Sequence, residues 1–303
     1  LAQALTSYLQ GNLHNYRAEQ NFKGILGFIA LWRFGFKHAV ADVNITVQRL
    51  LLPVFLRSIF TRKKVLLVFH HYDEREQLSF AYHFNYKLIL MLLRLNFSRL
   101  KVVVVADYWV DFLVSKGVDK TAILVFPNLF NVADYDAVRQ LNAPKTNTIY
   151  LGQYGLKQHP LVFELAALLT SQGYTCVFST NNKNEVKQTP TYQVVQFLYA
   201  DYLLFIATCK YTVCVSCFNE GWNRTAHESL LLGTPVIGNQ SGGLTQLLTE
   251  ANQHQVTTAQ QAYDIITQNT PNRIPQSFVQ RYHINQISYY AQPIGEFCSN
   301  GIS

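Results

Sequence analysis

Glu220 and Glu228 stand eight residues apart in the richest polar segment of the chain, which runs from Cys217 to Gly243. A strand is expected to end at Ser216. A polar loop with Gly221 follows, and a helix begins near Thr225 and stops at Gly233 and Pro235, a glycine C′ followed by a proline stop. The next strand leads into Gly242 and Gly243, where another helix begins. Two loop-to-helix junctions thus fall at one edge of one sheet. Helix N-termini offer N–H groups and a positive dipole end, which suit a phosphate. Glycines let the backbone come close to a ligand. Two carboxylates beside them suit sugar hydroxyls better than phosphates. The spacing alone equally describes a helix-capping acid and a surface acid.

The elements that must hold these residues follow from the apolar pattern. The runs 65–69, 102–106, 122–126, 148–151, 174–179, 211–216 and 235–238 are continuously apolar rather than alternating, as expected for parallel strands buried on both faces. Helical patterns lie between them, at 77–97, 108–116, 160–171, 199–209, 225–232 and 244–250. This alternation predicts doubly wound α/β architecture. A polar, turn-rich stretch over 131–148 marks a boundary. It gives an N-terminal Rossmann-like domain over 1–140, a C-terminal one over 141–283 and a helical tail over 284–303, helical in pattern until Pro293. Two such domains are expected to face a cleft at the carboxyl ends of their strands.

The segment Glu220-Gly221-Trp222 through Glu228, then Gly233-Thr234-Pro235-Val236-Ile237-Gly238 and Gly242-Gly243, resembles the nucleotide-sugar motif of family-4 glycosyltransferases, which have the GT-B fold. Val125-Phe126-Pro127-Asn128 is similar to the stretch that closes that family's first domain. Ile149-Tyr150-Leu151-Gly152 is similar to the strand that opens its donor domain, and Val65 to Asp73, with His70-His71, to a strand end bearing the catalytic histidine. The resemblance spans roughly residues 40–250.

It implies a transferase that moves a sugar from a UDP- or GDP-sugar, with retention at the anomeric carbon, without a metal and with no other cofactor. Glu220 would contact the donor sugar's hydroxyls. Gly221, Trp222 and Asn223 would hold the sugar, Glu228 would accept from the ribose, and Gly242-Gly243 would lie near the pyrophosphate. His70 or His71 would sit near the reacting carbon or the acceptor. Consecutive strand residues face opposite ways, so which of the two points inward stays open. Where the family has an Arg after Gly152 this chain has Gln153, and Lys157 comes one residue early; Arg224 is expected to supply the lost charge. The first strand and glycine-rich loop of the acceptor domain are not legible. Residues 1–10 resemble the helix that follows them, so a first domain shortened at its N-terminus is expected. These departures leave an inactive sugar-nucleotide-binding protein, or a membrane-associated partner subunit of a glycosyltransferase, as alternatives.

Composition limits the remaining options. The 303 residues are 49% hydrophobic and 14% charged, which excludes a disordered or fibrous chain. Net charge is +7; residues 22–64 hold eight basic residues against one acid, Asp42, a stretch that reads either as a buried α/β segment with solvated basic tips or as a surface that attracts anionic lipid headgroups or nucleic acid. No run of about 18 uncharged apolar residues is present, and no transmembrane helix is expected. A cytoplasmic location is expected, with peripheral membrane association through that stretch on the second reading. Evenly spread aromatics give no nucleic-acid platform. Five cysteines, an odd number, suggest no disulfide framework. Cys214 and Cys217 would point to opposite faces of one strand, so no metal is expected there. Asp134-Tyr135-Asp136 reads as a solvated linker rather than a metal site, and His227 as a surface helix position. The acceptor, whether glycan, lipid-linked or protein, is not encoded in any legible motif.

Overall fold

Strands that are apolar on both faces must be covered on both faces, and the chain meets this with two parallel sheets carrying helices. The structure, a computed structural model, describes residues 32–37, 39, 41–48, 51–70, 72, 80–141, 143–155 and 158–299. The chain divides into two compact units, one of residues 1–127 with 287–303 and one of residues 128–286.

In the first unit the order is β1 (Val43–Val47), α1 (Leu51–Thr61), β2 (Lys64–Phe69), α2 (Phe80–Arg94), β3 (Leu100–Val104), α3 (Asp107–Ser115) and β4 (Ile123–Val125). The four strands lie side by side in chain order, all parallel. Val65 to Phe69 are buried without exception, as a strand covered on both faces requires. Trp109 of α3 is fully buried and meets Phe69 and Phe112 edge-on at 5.5 and 5.2 Å. The C-terminal helix, Ile287–Ser299, returns to this unit and contacts β4. It runs through Pro293, where the sequence pattern had suggested an end. Ala291 and Ile294 are buried on either side of the proline, and that packing outweighs one lost backbone hydrogen bond. The Lys64 ammonium donates to the Phe297 carbonyl at 2.6 Å near the end of this helix, where a cation meets the negative dipole end.

The second unit opens with α4 (Val132–Arg139) and continues β5 (Thr148–Gln153), α5 (Pro160–Thr170), β6 (Thr175–Ser179), β7 (Lys187–Gln188), β8 (Gln193–Val195), α6 (Tyr199–Thr208), β9 (Tyr211–Cys214), α7 (Arg224–Leu231), β10 (Val236–Gly238), α8 (Gly243–Glu250), β11 (His254–Gln255), α9 (Ala259–Gln268) and α10 (Gln276–Arg281). Its seven strands take the order β11-β10-β9-β5-β6-β8-β7, parallel except for β7. Alternate residues of β5 serve opposite faces. Ile149 and Leu151 join the core under α5 and α9, and Tyr150 joins the core under α4, α6 and α7.

The division falls after Pro127, not near residue 140. The stretch with the turn-rich composition forms α4, whose Tyr135 is buried against α6 and α7. Tyr135 is buried and Val132 and Val138 pack beside it against these helices, too narrow an apolar face to show as a helical stripe in the sequence. The chain enters and leaves this unit side by side: Phe130 donates its amide to Tyr282, and Ile284 donates to Phe130.

Trp109→Ala should lower the stability of the first unit by about 3–5 kcal/mol. Urea unfolding followed by far-UV circular dichroism checks this, and an unchanged midpoint would remove Trp109 from the core.

Candidate functional site

In the second sheet the chain starts at β5, winds outward to β6 and β8, then crosses to the other side of β5 for β9, β10 and β11. The loops after β5 and β9 therefore leave in opposite directions and open a crevice at the carboxyl ends, the switch point where open α/β sheets take ligands. A cleft of about 610 Å³ lies there. Its walls come from the turn after β5 (Gly152, Gln153, Tyr154, Gly155, Gln158), from the segment after β9 (Ser216, Phe218, Glu220, Trp222, Asn223), from the first turn of α7 (Arg224, Thr225) and from Glu185.

The loop bearing Glu220 is held by backbone. The Gly243 amide donates to the Glu220 carbonyl at 2.7 Å, and Glu220 and Gly242 form a parallel bridge. Gly242 sits at φ +59°, and a Cβ there would lie 2.5 Å from the Glu220 oxygen; at Gly243 it would lie 2.1 Å from the Gly221 oxygen. Only glycine fits this contact. Gly242 and Gly243 are buried and do not line the cleft, which differs from the expectation that this turn offers amides to a ligand. The amides of Gly243, Leu244 and Thr245 are spent on Glu220, Ser241 and Gly242.

The other helix start at this edge is that of α7. Asn223 caps it, its Oδ1 accepting from the Ala226 amide at 2.8 Å, and Arg224 and Thr225, the first two helical residues, line the cleft. The first amides of a helix have no acceptor within it. Gly233, at φ +76°, follows the helix as the sequence predicts.

Glu220 is half-buried and lines the cleft, and its charge adds to burial in pushing the Cys214 thiol up. Glu228 does not line the cleft. Its carboxylate is 4% exposed, and Oε1 accepts from Arg224 Nε at 2.7 Å, Tyr199 OH at 2.8 Å and Tyr135 OH at 3.5 Å. The Arg224 side chain is 66% exposed. Burial works to lower the Arg224 pKa, but the hydrogen bond and charge of Glu228 outweigh it and hold it above its ordinary value. One buried carboxylate thus anchors one guanidinium at the cleft wall. Tyr135 of the Asp134-Tyr135-Asp136 triplet belongs to this anchor. Asp136 pairs with Arg139, and Asp134 accepts from Asn131.

Trp222 is 7% exposed and donates from Nε1 to His227 Nδ1 at 3.2 Å. His227 is fully buried, not on the surface. Phe130, Phe278 and Tyr282 surround its ring at 4.0, 4.8 and 5.2 Å. Its place in a polar stretch, next to Glu228, hid this: α7 is buried through its whole second turn. Burial lowers its pKa from 6.5 to about 3.

Gly152 lines the cleft at φ +80°, and Gln153 beside it is exposed. Lys157 and His71 lie outside the described residues. His70 is exposed at the carboxyl end of β2, in the other unit. Sequence reasoning missed Tyr154, Gln158, Ser216 and Glu185. Tyr154 OH accepts from Lys187 Nζ at 2.6 Å, which lowers the tyrosine pKa, and Glu185 accepts from Thr180 Oγ1 at 2.6 Å. The signal for Glu185 was present: the polar run after the strand ending at Ser179 had to fall at the same sheet edge. Among the described residues no group of three His, Cys, Asp or Glu could hold a metal ion, and no helix is long and apolar enough to cross a membrane.

No protein-family model and no curated protein sequence matches the chain. Solved structures do. Anabaena Alr3699/HepE in complex with UDP-glucose superimposes with a TM-score of 0.68 at 16% identity, over 97% of this chain and 88% of that one. Sucrose-phosphate synthase from Thermosynechococcus elongatus gives 0.64 at 16%, over 94% and 81%. A glycosyltransferase from Rickettsia africae ESF-5 gives 0.63 at 14%, over 98% and 87%. The chain has the fold of the GT-B glycosyltransferases, built from two Rossmann-like units.

Gly243→Ala should cost about 1–3 kcal/mol, because the new methyl must push the Gly221 carbonyl away. Urea unfolding checks it, and a midpoint equal to the parent's would show that the two loops do not interlock. Acid should also weaken the fold through His227. The unfolded chain takes up this proton near 6.5 and the folded chain only near 3, so between them the unfolded state binds more protons. Stability therefore falls with pH in that window, by about 1.4 kcal/mol per pH unit. His227→Gln should lack this slope when unfolding is followed from neutral pH to about 4.5. A slope identical to the parent's would place the sensitivity elsewhere.

Proposed function

We propose that this chain is a glycosyltransferase whose second unit binds a nucleotide sugar, UDP-sugar in the first instance, and that the sugar passes to an acceptor hydroxyl. The observation that carries the reading is the cleft at the β5/β9 switch point, with Glu220 on one wall and the Glu228-anchored Arg224 at the start of α7. The shared fold with HepE bound to UDP-glucose adds support.

Glu220 accepts hydrogen bonds from donor hydroxyls. Arg224 and the amino end of α7 face the diphosphate and stabilise the charge it gains as it leaves. No metal is assigned to this step. The bond between the anomeric carbon and the diphosphate oxygen breaks, and its electron pair stays with the diphosphate. The acceptor oxygen bonds to that carbon on the same face, and its proton passes to the departing phosphate, so configuration is retained. Glu228 acts through Arg224 rather than on the ribose, because its side chain is buried, does not line the cleft and holds Arg224 through Oε1. Gln153, where the resembling family carries arginine, favours a second reading, a nucleotide-sugar-binding protein without transfer. Residual transfer activity separates the two.

UDP should raise the melting temperature, by about 2.7 kcal/mol of stabilisation at a hundredfold excess over Kd. Arg224→Ala should weaken UDP about 10- to 100-fold, the value of a charge-assisted hydrogen bond. Glu228→Gln should weaken it similarly, and the double variant should be no worse than either. Glu220→Gln should keep UDP affinity and lose donor turnover. Melting curves unmoved by UDP-, GDP- and ADP-sugars would sink the reading. Additive losses at 224 and 228 would put Glu228 directly on the ligand.

A further inference from the structure

The amino ends of β2, β3 and β4 lie on the edge of the first sheet opposite its carboxyl ends. The loops entering them, residues 62–63, 95–99 and 116–122, carry Arg62, Lys63, Arg99, Lys116 and Lys120 against one acid, Asp119. Asp42, in the loop entering β1, pairs with Lys63. Large apolar side chains stand among these cations. Phe60 is 81% exposed, Leu95 59%, Ile59 46% and Phe97 38%.

Between the last turn of α1 and the 95–99 loop runs an open groove of about 250 Å³. Phe55, Ile59 and Phe97 form its apolar floor, and Lys63 and Arg99 flank it. Ser58 is 2% exposed and also lines the groove, and its Oγ is buried without a hydrogen-bond partner. Such a group costs stability unless something meets it. An occupant that suits this edge brings anionic charge for the cations and apolar matter for Phe60, Ile59 and Leu95. A nucleic acid brings charge and bases to stack on Phe60 but no aliphatic matter for Ile59 and Leu95. The headgroup layer of an anionic bilayer brings both charge and aliphatic matter.

We propose that the amino edge of the first sheet docks on an anionic lipid surface, with Phe60 and Ile59 entering the headgroup layer and the groove between Lys63 and Arg99 holding a lipid phosphate. The lipid-facing reading of residues 22–64 thus narrows to the end of that stretch and gains two loops from beyond it. Residues 22–31, 38, 40 and 49–50 of the stretch lie outside the described residues.

The test pellets the full chain with vesicles of phosphatidylcholine alone and of equimolar phosphatidylcholine and phosphatidylglycerol, with no sugar nucleotide present. Binding is expected only to the anionic vesicles and is expected to weaken with salt. Arg99→Glu should weaken it at least about fivefold, the effect of one cation near such a surface. Lys120→Glu provides the same comparison at a second exposed position. Phe60→Ser should also weaken it while leaving the melting temperature unchanged. Equal binding to both vesicles, no binding, or affinity indifferent to all three variants overturns the proposal. Binding to a single-stranded oligonucleotide without binding to vesicles overturns it in favour of nucleic acid. Because no nucleotide enters the assay, its outcome stands apart from that of the donor-binding reading.

Discussion

The backbone contact between Gly242-Gly243 and Glu220-Gly221 is the constraint on which the site depends. A carboxylate in a loop is useful only if the loop has one conformation, and side-chain contacts alone rarely give a loop that precision. Here the Gly243 amide binds the Glu220 carbonyl at a separation that no side chain at 242 or 243 would permit. Trp222 adds a second fastening two residues on, through its hydrogen bond to a fully buried His227. Glu220 is therefore presented by a loop tied on both sides to the elements that follow it, and its place in the cleft is set by the sheet rather than by the loop's own preferences.

Arg224 is organised in a different manner. Its guanidinium is mostly in water, where a surface ion pair contributes little and a long side chain samples many positions. Glu228 changes that, because its carboxylate is buried and cannot follow the arginine outward. Tyr199 and Tyr135 complete the set of donors that keep the charge of Glu228 tolerable in that position. In the proposed reading the two acids of the motif divide their work: Glu220 meets the ligand, and Glu228 meets the residue that meets the ligand.

In the proposed readings the donor cleft lies at the carboxyl edge of the second sheet, where the switch point falls, and the lipid surface meets the amino edge of the first, where Arg62, Arg99, Lys120 and the exposed Phe60 stand. Strand direction makes both arrangements available, because in a parallel sheet all loops of one kind gather on one edge.

The alternation of continuous apolar runs with helical patterns pointed to two doubly wound units, but it left out β1, whose Asn44 and Thr46 are polar yet buried, and the short β8. Glu220, Gly221, Trp222, Asn223 and Arg224 could also be placed at a strand end from the residues alone, since a strand, a glycine loop and a capped helix follow one another without interruption. Other features were not legible. The helix over 132–139 reads as a linker, His227 as a surface residue, and nothing local marks Tyr154, Gln158 and Glu185, or gives Ser216 more than the role of a strand end. Tyr135 owes its place to Glu228, and His227 to Phe130 and Tyr282, neighbours distant in sequence, whereas Glu185 is held locally by Thr180 and Asn182. Local periodicity reports which face of an element is apolar. Which polar side chain is buried, and which glycine faces a ligand or only another loop, is decided when separate elements meet.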